Sequence, residues 1–238
     1  MLGRLLLLFT LTSLLFSGRA LAQTDPICME SDFADSTAEY YIGVGNAYFD
    51  TGIYALAVSA YTCAIEIDPD YIQAYVDRGY AYAAQFDFES ALADYESAIT
   101  LDEGYVNAYN NRGLLYTFQG NFGLAIGDFS LIVALDSNNA IGFHNRGVVH
   151  AIENNFDLAI ADFEQAIAVD PSYPAPYASL AAVYSALAIQ NYQQFYAVIG
   201  DEYAPLPAGT PNTVLRDVNT ALTTEDFSVW LRLLTPAR

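Results

Sequence analysis

The chain reads as an all-α protein, an α-solenoid of stacked helical hairpins, on three observations. Glycine, alanine and aspartate recur at a fixed interval of 34 residues: Gly45, Gly79, Gly113 and Gly147; Ala57, Ala91, Ala125 and Ala159; Asp68, Asp102, Asp136 and Asp170. Aromatic columns keep the same interval, as in Tyr41, Tyr75, Tyr109 and Phe143, or Tyr61, Tyr95, Phe129 and Phe163. Within each interval two stretches carry apolar residues at helical spacing, separated by a break. In the third interval Tyr109, Arg112, Gly113 and Tyr116 share one helix face; after Gly120-Asn121, the residues Phe122, Ala125, Ile126, Phe129, Ile132 and Val133 share another.

At the N-terminus, Met1–Arg4 give a short basic start and Leu5–Phe16 a nearly unbroken apolar run. Ala20-Leu21-Ala22 then supplies the small residues of a cleavage point. This is the layout of a secretory signal peptide at 1–22. The run is about 12 residues against the roughly 20 of a spanning helix, so an uncleaved anchor is the lesser alternative and no membrane insertion is expected after cleavage. Cys28 lies six residues past Ala22, away from the position a lipidated cysteine needs. The expected location is secreted or periplasmic.

A tail at 23–37 precedes the repeats. Cys28 and Cys63 are the two cysteines of the chain. In an oxidising compartment they would form a disulfide tying this tail to the first repeat, closing a loop of about 36 residues for roughly 3–4 kcal/mol; the alternative is two separate thiols, with Cys63 packed inside a helix.

The recurring glycines and alanines fit places where two helices approach too closely for a larger side chain. Mid-helix glycine costs up to about 1 kcal/mol relative to alanine, so its recurrence points to compensating packing. The break in each interval holds Gly52, Phe86, Gly120 and Asn154 in turn. Glycine and asparagine suit a left-handed turn residue and phenylalanine does not; the sequence offers no account of Phe86.

Units such as Ala108-Tyr109…Gly113…Tyr116…Ala125…Phe129, closed by Asp68-Pro69 or Asp170-Pro171, resemble the tetratricopeptide repeat (TPR). The resemblance covers four units, 38–71, 72–105, 106–139 and 140–173, with 174–199 as a degenerate fifth. It implies antiparallel helix pairs stacked into a right-handed superhelix, the first helix of each unit lining a concave face. The departures are alanine or isoleucine where tryptophan is commoner, no turn proline after Asp102 or Asp136, and His150 in an aromatic column.

Arg78, Arg112 and Arg146 share one column, and Asp94, Asp128 and Asp162 another. In the first unit both columns are apolar, Val44 and Ala60; in the fifth, Leu180 faces Tyr196. The charges appear and vanish together, which predicts an Arg–Asp bridge between the two helices of a unit: Arg78–Asp94, Arg112–Asp128 and Arg146–Asp162. Three arginines gripping an anion are the alternative.

Past Ile199 the pattern dissolves. Pro205, Pro207 and Gly209 mark a loop, Thr210-Pro211 opens a helix, and Thr224 starts another whose face carries Phe227, Trp230, Leu231 and Leu234. Residues 200–238 are thus a loop with C-terminal capping helices, since a stacked array must cover its open end; a separate docking helix built on Trp230 is the alternative.

Composition narrows the function. After cleavage the chain keeps six arginines, no lysine and 28 acidic residues, a net charge of −22. Nucleic acid needs cations facing phosphates, which this chain lacks. His144 and His150, the only histidines, sit six residues apart, about 240° around a helix, and do not converge on a metal. No phosphate loop, serine nucleophile motif or Cys–His dyad occurs. Asp68-Pro69-Asp70 and Asp102-Glu103 lack the dense alternating carboxylates and the glycine of a calcium loop. No enzyme activity, cofactor or metal is expected. The resemblance instead implies a protein-binding scaffold that takes a peptide in its groove. Candidate groove residues are Asn46, Phe49, Asp77, Tyr80, Asn110, Asn111, Leu114, Phe118, His144, Asn145, Val148 and Ile152. Asp77, Asn111 and Asn145 would form a polar ladder for a peptide backbone, with Tyr80, Leu114, Phe118, Val148 and Ile152 as an apolar strip beside it. The second expectation is a structural component of a cell-envelope assembly that oligomerises through its terminal helices.

Overall fold

The computed structural model describes residues 37–199. The expected signal peptide at 1–22, the tail to residue 36 and the expected capping segment at 200–238 lie outside the described residues. Those described form nine helices and no strand: α1 (Ala38–Asp50), α2 (Tyr54–Ile67), α3 (Ile72–Ala84), α4 (Phe88–Leu101), α5 (Val106–Phe118), α6 (Phe122–Leu135), α7 (Ala140–Ile152), α8 (Phe156–Val169) and α9 (Pro174–Ile199). They pair as hairpins α1–α2, α3–α4, α5–α6 and α7–α8, each stacked on the next. The architecture is an all-α solenoid.

Local chemistry sets both kinds of turn. Inside each hairpin the first helix ends on a left-handed residue, Gly52, Phe86, Gly120 or Asn154, with φ of 78°, 63°, 74° and 62°. The amide after it reaches back five residues, as Asn121 N does to the Tyr116 carbonyl at 2.8 Å, the bond that closes a Schellman motif. Phe86 therefore adopts the same backbone as its glycine and asparagine counterparts, with its ring largely in solvent and edge-on to Phe88. Between hairpins the second helix ends on the aspartate column in extended conformation. The side chains of Asp68, Asp102, Asp136 and Asp170 accept from the amides of Asp70, Gly104, Asn138 and Ser172 at 2.8–3.1 Å. These aspartates serve a turn, each capturing the amide two residues on. The bonds from Ser172 hold the Asp170 carboxyl below its ordinary range.

Residue i of a first helix meets residue i+16 of its partner. A Cβ added to Gly79, Gly113 or Gly147 would lie 2.7–2.9 Å from the ring of Tyr95, Phe129 or Phe163, and one on Gly45 would collide with Tyr61. These rings are fully buried, so each glycine is the socket for one ring. One position away the same offset aligns the charges. Arg78, Arg112 and Arg146 each donate through Nε and Nη2 to both carboxylate oxygens of Asp94, Asp128 and Asp162, at 2.9 and 2.7 Å. Arg112 also lies between the rings of Tyr109 and Tyr116. The carboxylates are buried; burial lifts the Asp94 carboxyl above its ordinary range despite the arginine beside it.

The degenerate fifth unit differs from expectation. Residues 174–199 form one uninterrupted helix of 26 residues rather than a hairpin. Where earlier units break at glycine, asparagine or Phe86, α9 carries Leu187-Ala188-Ile189, which continue a helix. The expected partner of Leu180, Tyr196, therefore lies farther along the same helix.

Candidate functional site: the face of the first helices

Each first helix packs on the next one, α1 on α3, α3 on α5, α5 on α7 and α7 on α9, more closely than the second helices pack on one another. The inner side of the array is thus built from α1, α3, α5 and α7. Its width is set by how closely these helices approach, and that approach encloses many of the residues expected to face a ligand.

The polar ladder is largely internal. Asn145 is 1% exposed, and its side-chain amide donates to Asn110 Oδ1 at 2.8 Å, bridging α7 to α5. Asn110 donates in turn to Asn111 Oδ1 at 3.4 Å. Asp77 is buried and accepts from Gln73 Nε2 at 2.8 Å. Gln73 also takes a bond from the Tyr105 hydroxyl, bridging α3 to the start of α5. His144 is buried among Asn145 at 3.3 Å, Ser179 at 3.1 Å and the Tyr173 hydroxyl at 3.3 Å. Burial pushes its pKa down to about 4, against a smaller opposite effect of the Asn145 bond. Asp77, His144 and Asn145 are therefore buried where a ligand-facing placement was expected: His144 and Asn145 join neighbouring units, and Asp77 bonds Gln73 within α3.

The apolar strip divides in the same way. Leu114 and Val148 are buried in the core between units 3 and 4, so they too leave the proposed surface. What stays half-buried on the inner side is Asn46, Phe49, Tyr80, Asn110, Asn111, Phe118 and Ile152, with Asn107 exposed beside them. Asn46 accepts from the Tyr61 hydroxyl at 2.8 Å. Phe49 stacks on Tyr80 with centroids 4.8 Å apart, and Phe118 tilts against Phe88 at 5.4 Å. The inner face is thus a shallow row of rings and amides. Its exposed or half-buried positions carry little charge, whereas the turns at both edges and the outer helices carry Asp50, Asp70, Asp87, Glu89, Glu96, Glu103, Glu153, Asp157 and Glu164 in solvent.

Tyr105 belongs to the inter-unit polar links, through Gln73, although the sequence did not single it out; Tyr71, Tyr105 and Tyr173, at multiples of 34 residues with Asn139 between, were the available signal. His150 packs beside the third ion pair, its Nε2 4.0 Å from Asp162 Oδ2. Its buried Nδ1 has no hydrogen-bond partner. Cys63 is buried in α2 and is not a free thiol; Cys28 lies outside the described residues. Among the described residues no cluster of histidine, cysteine and carboxylates is arranged to hold a metal, and no helix is long and apolar enough to cross a membrane.

No curated protein matches the sequence. Similar solved structures include the crystal structure of MamA protein, 20% identical, spanning 71% of this chain and 98% of that one with a TM-score of 0.55. A tetratricopeptide repeat protein from Parabacteroides merdae is 16% identical over 81% of this chain and 75% of its own, TM-score 0.56. MamA from residue 41 to its end, from Desulfovibrio magneticus, is 13% identical over 79% of this chain and 97% of its own, TM-score 0.55. At these identities the likeness is one of fold. Family models described as TPR repeat or tetratricopeptide repeat match residues 45–85, 76–140 and 140–173. These matches run without a gap from 45 to 173, more than half of the chain, and with the geometry of its hairpins they place it in the tetratricopeptide-repeat family.

Proposed function

We propose that the chain is an extracytoplasmic protein-interaction scaffold that holds an extended segment of a partner along its inner face. The observation that carries this reading is the half-buried row of Phe49, Tyr80, Asn111 and Phe118 with exposed Asn107, in a surface otherwise rimmed by carboxylates. Rings supply contact area at low entropic cost, and amides bond a peptide backbone in either sense. The rim favours a segment that is neutral at its centre and basic at its ends. The basic start, apolar run and Ala20-Leu21-Ala22 support export. A disulfide between Cys28 and Cys63 belongs to the same reading, and thiol counting on the exported protein under non-reducing conditions tests it. For the groove, Tyr80→Ala, Asn111→Ala and Phe118→Ala combined should abolish capture of partners from a cell-envelope extract while the helical circular dichroism persists. Capture that survives the triple change refutes the groove.

One observation favours a structural, self-associating role as the second reading. Tyr177 and Tyr184 of α9 are 47% and 49% exposed, whereas their counterparts Tyr41, Tyr109 and Phe143, and Tyr48, Tyr82 and Tyr116, are buried or half-buried under a second helix. No charged residue occurs in α9. Light scattering of the protein with and without residues 210–238 separates the readings: association that follows the terminal segment supports this one, and a monomer in both forms refutes it.

A further inference from the structure

The outer surface of the array is built from α2, α4, α6 and α8, and α6 differs there from the two helices on either side of it; α2 likewise lacks the acids, with Ala55 and Thr62 in their place. Where α4 has Glu89 and α8 has Asp157, α6 has Gly123; where they have Glu96 and Glu164, α6 has Ser130. Conversely, Ser90 and Ser97 of α4 give way to Leu124 and Leu131. The only ionic residue of α6, Asp128, is turned inward to Arg112. Leu124, Leu131 and Leu135 are 56%, 46% and 51% exposed. Between them a Cβ on Gly127 would find nothing within 4 Å. The result is an uncharged apolar window, extended by exposed Leu158 of α8 and framed by Glu89, Glu96, Asp157 and Glu164, all in solvent.

We infer that the outer face of α6 is a second docking site, separate from the groove, for a cationic amphipathic helix of a partner protein. Leu124 and Leu131 are seven residues apart, about 10.5 Å along the helix, and so are the members of each framing pair. An apolar stripe at i, i+3, i+4 and i+7 matches the leucines, and lysines or arginines on its shoulders meet the frame. Charge selects against a second copy of this chain. Its own α6 face would set carboxylates against carboxylates, and the three arginines of the described repeats are already paired within their hairpins.

The test uses the full chain and a synthetic 14-residue peptide of leucine and lysine in that helical order, with a scrambled peptide of equal composition. Binding is read by fluorescence anisotropy. The ordered peptide should bind more tightly than the scrambled one. Leu124→Ser with Leu131→Ser copies α4 and leaves every charge in place; it should weaken ordered-peptide binding about tenfold or more. The groove variant Tyr80→Ala/Asn111→Ala/Phe118→Ala should bind the peptide unchanged, so that failure of the groove reading and failure of this one are distinguishable. Equal binding of both peptides, or full binding by the leucine variant, overturns the inference by reducing it to bulk charge attraction. Binding seen only after removal of residues 210–238 overturns it in favour of the chain's own terminal segment. A dimer that the leucine variant dissolves overturns it in favour of self-association.

Discussion

Removing Arg112 isolates what the buried ion pairs do. Its guanidinium meets both oxygens of Asp128 at 2.9 and 2.7 Å, with side-chain exposures of 17% and 5% for the two partners. Arg112→Leu leaves the Asp128 carboxylate buried without its cation, a change that costs about 3–5 kcal/mol. In a protein of this size each kcal/mol lowers Tm by about 2–4 °C, so a fall of about 6–20 °C is expected in a calorimetric or circular-dichroism melt. The double change Arg112→Val with Asp128→Ala copies the first unit, where Val44 and Ala60 occupy these positions. It removes the stranded charge together with its partner and should recover most of the loss, leaving about 1–2 kcal/mol for vanished packing and ring contacts. The single changes Arg112→Val and Asp128→Ala and the double then form a cycle with a coupling energy of about 2 kcal/mol or more. An unchanged Tm for Arg112→Leu, or a double variant as unstable as the single one, would refute this account of the pairs.

His144 makes stability depend on pH. Its folded pKa of about 4 lies below the ordinary 6.5; above pH 6.5 both states are neutral, and between 6.5 and 4 only the unfolded chain takes up the proton. About 3 kcal/mol should therefore be lost on acidification across that window, and melts at pH 7 and 4.5 should show a smaller drop for His144→Gln than for the native chain. His150→Tyr installs the residue found at Tyr48, Tyr82 and Tyr116 and removes a buried nitrogen lacking a partner; a gain of about 1 kcal/mol in urea denaturation is expected. Phe86→Gly relieves a φ of 63°. The strain released outweighs the extra entropy of the unfolded glycine, giving a net gain of about 0.5–1 kcal/mol by the same measurement.

The hairpins were legible because one interaction rule, i with i+16, is written four times. Each glycine socket keeps its ring down the columns, the Arg–Asp couples appear and vanish together, and correlations of that kind survive in a single sequence. The inner face was legible only in part. Asn111 and Asn145 share a column, yet one is half-buried and the other sealed. The difference arises from how closely α7 meets α5, and distances between units leave no trace in the pattern of any one unit. The same holds for Leu114 and Val148, apolar residues whose spacing fits a groove strip and an inter-unit core equally well. The straight course of α9 was open to reading from Leu187-Ala188-Ile189. The resemblance to a fifth unit overrode the missing turn residue.

Because every charged clamp lies within a single hairpin, the stack is not equally stiff along its length. Units two to four each carry one, and polar links through Gln73, Asn110, Arg146 and His144 tie these units in succession on to α9. The first unit has no such clamp of its own; Tyr61 bonds Asn46 within it, and Arg78 of the second unit reaches Thr62 of α2 at 3.1 Å. In a one-dimensional array the least anchored module opens first. Amide protons of α1 should thus exchange with solvent ahead of those in α7, so that the repeats give way first at their leading helix, which can adjust to a guest without loosening the rest.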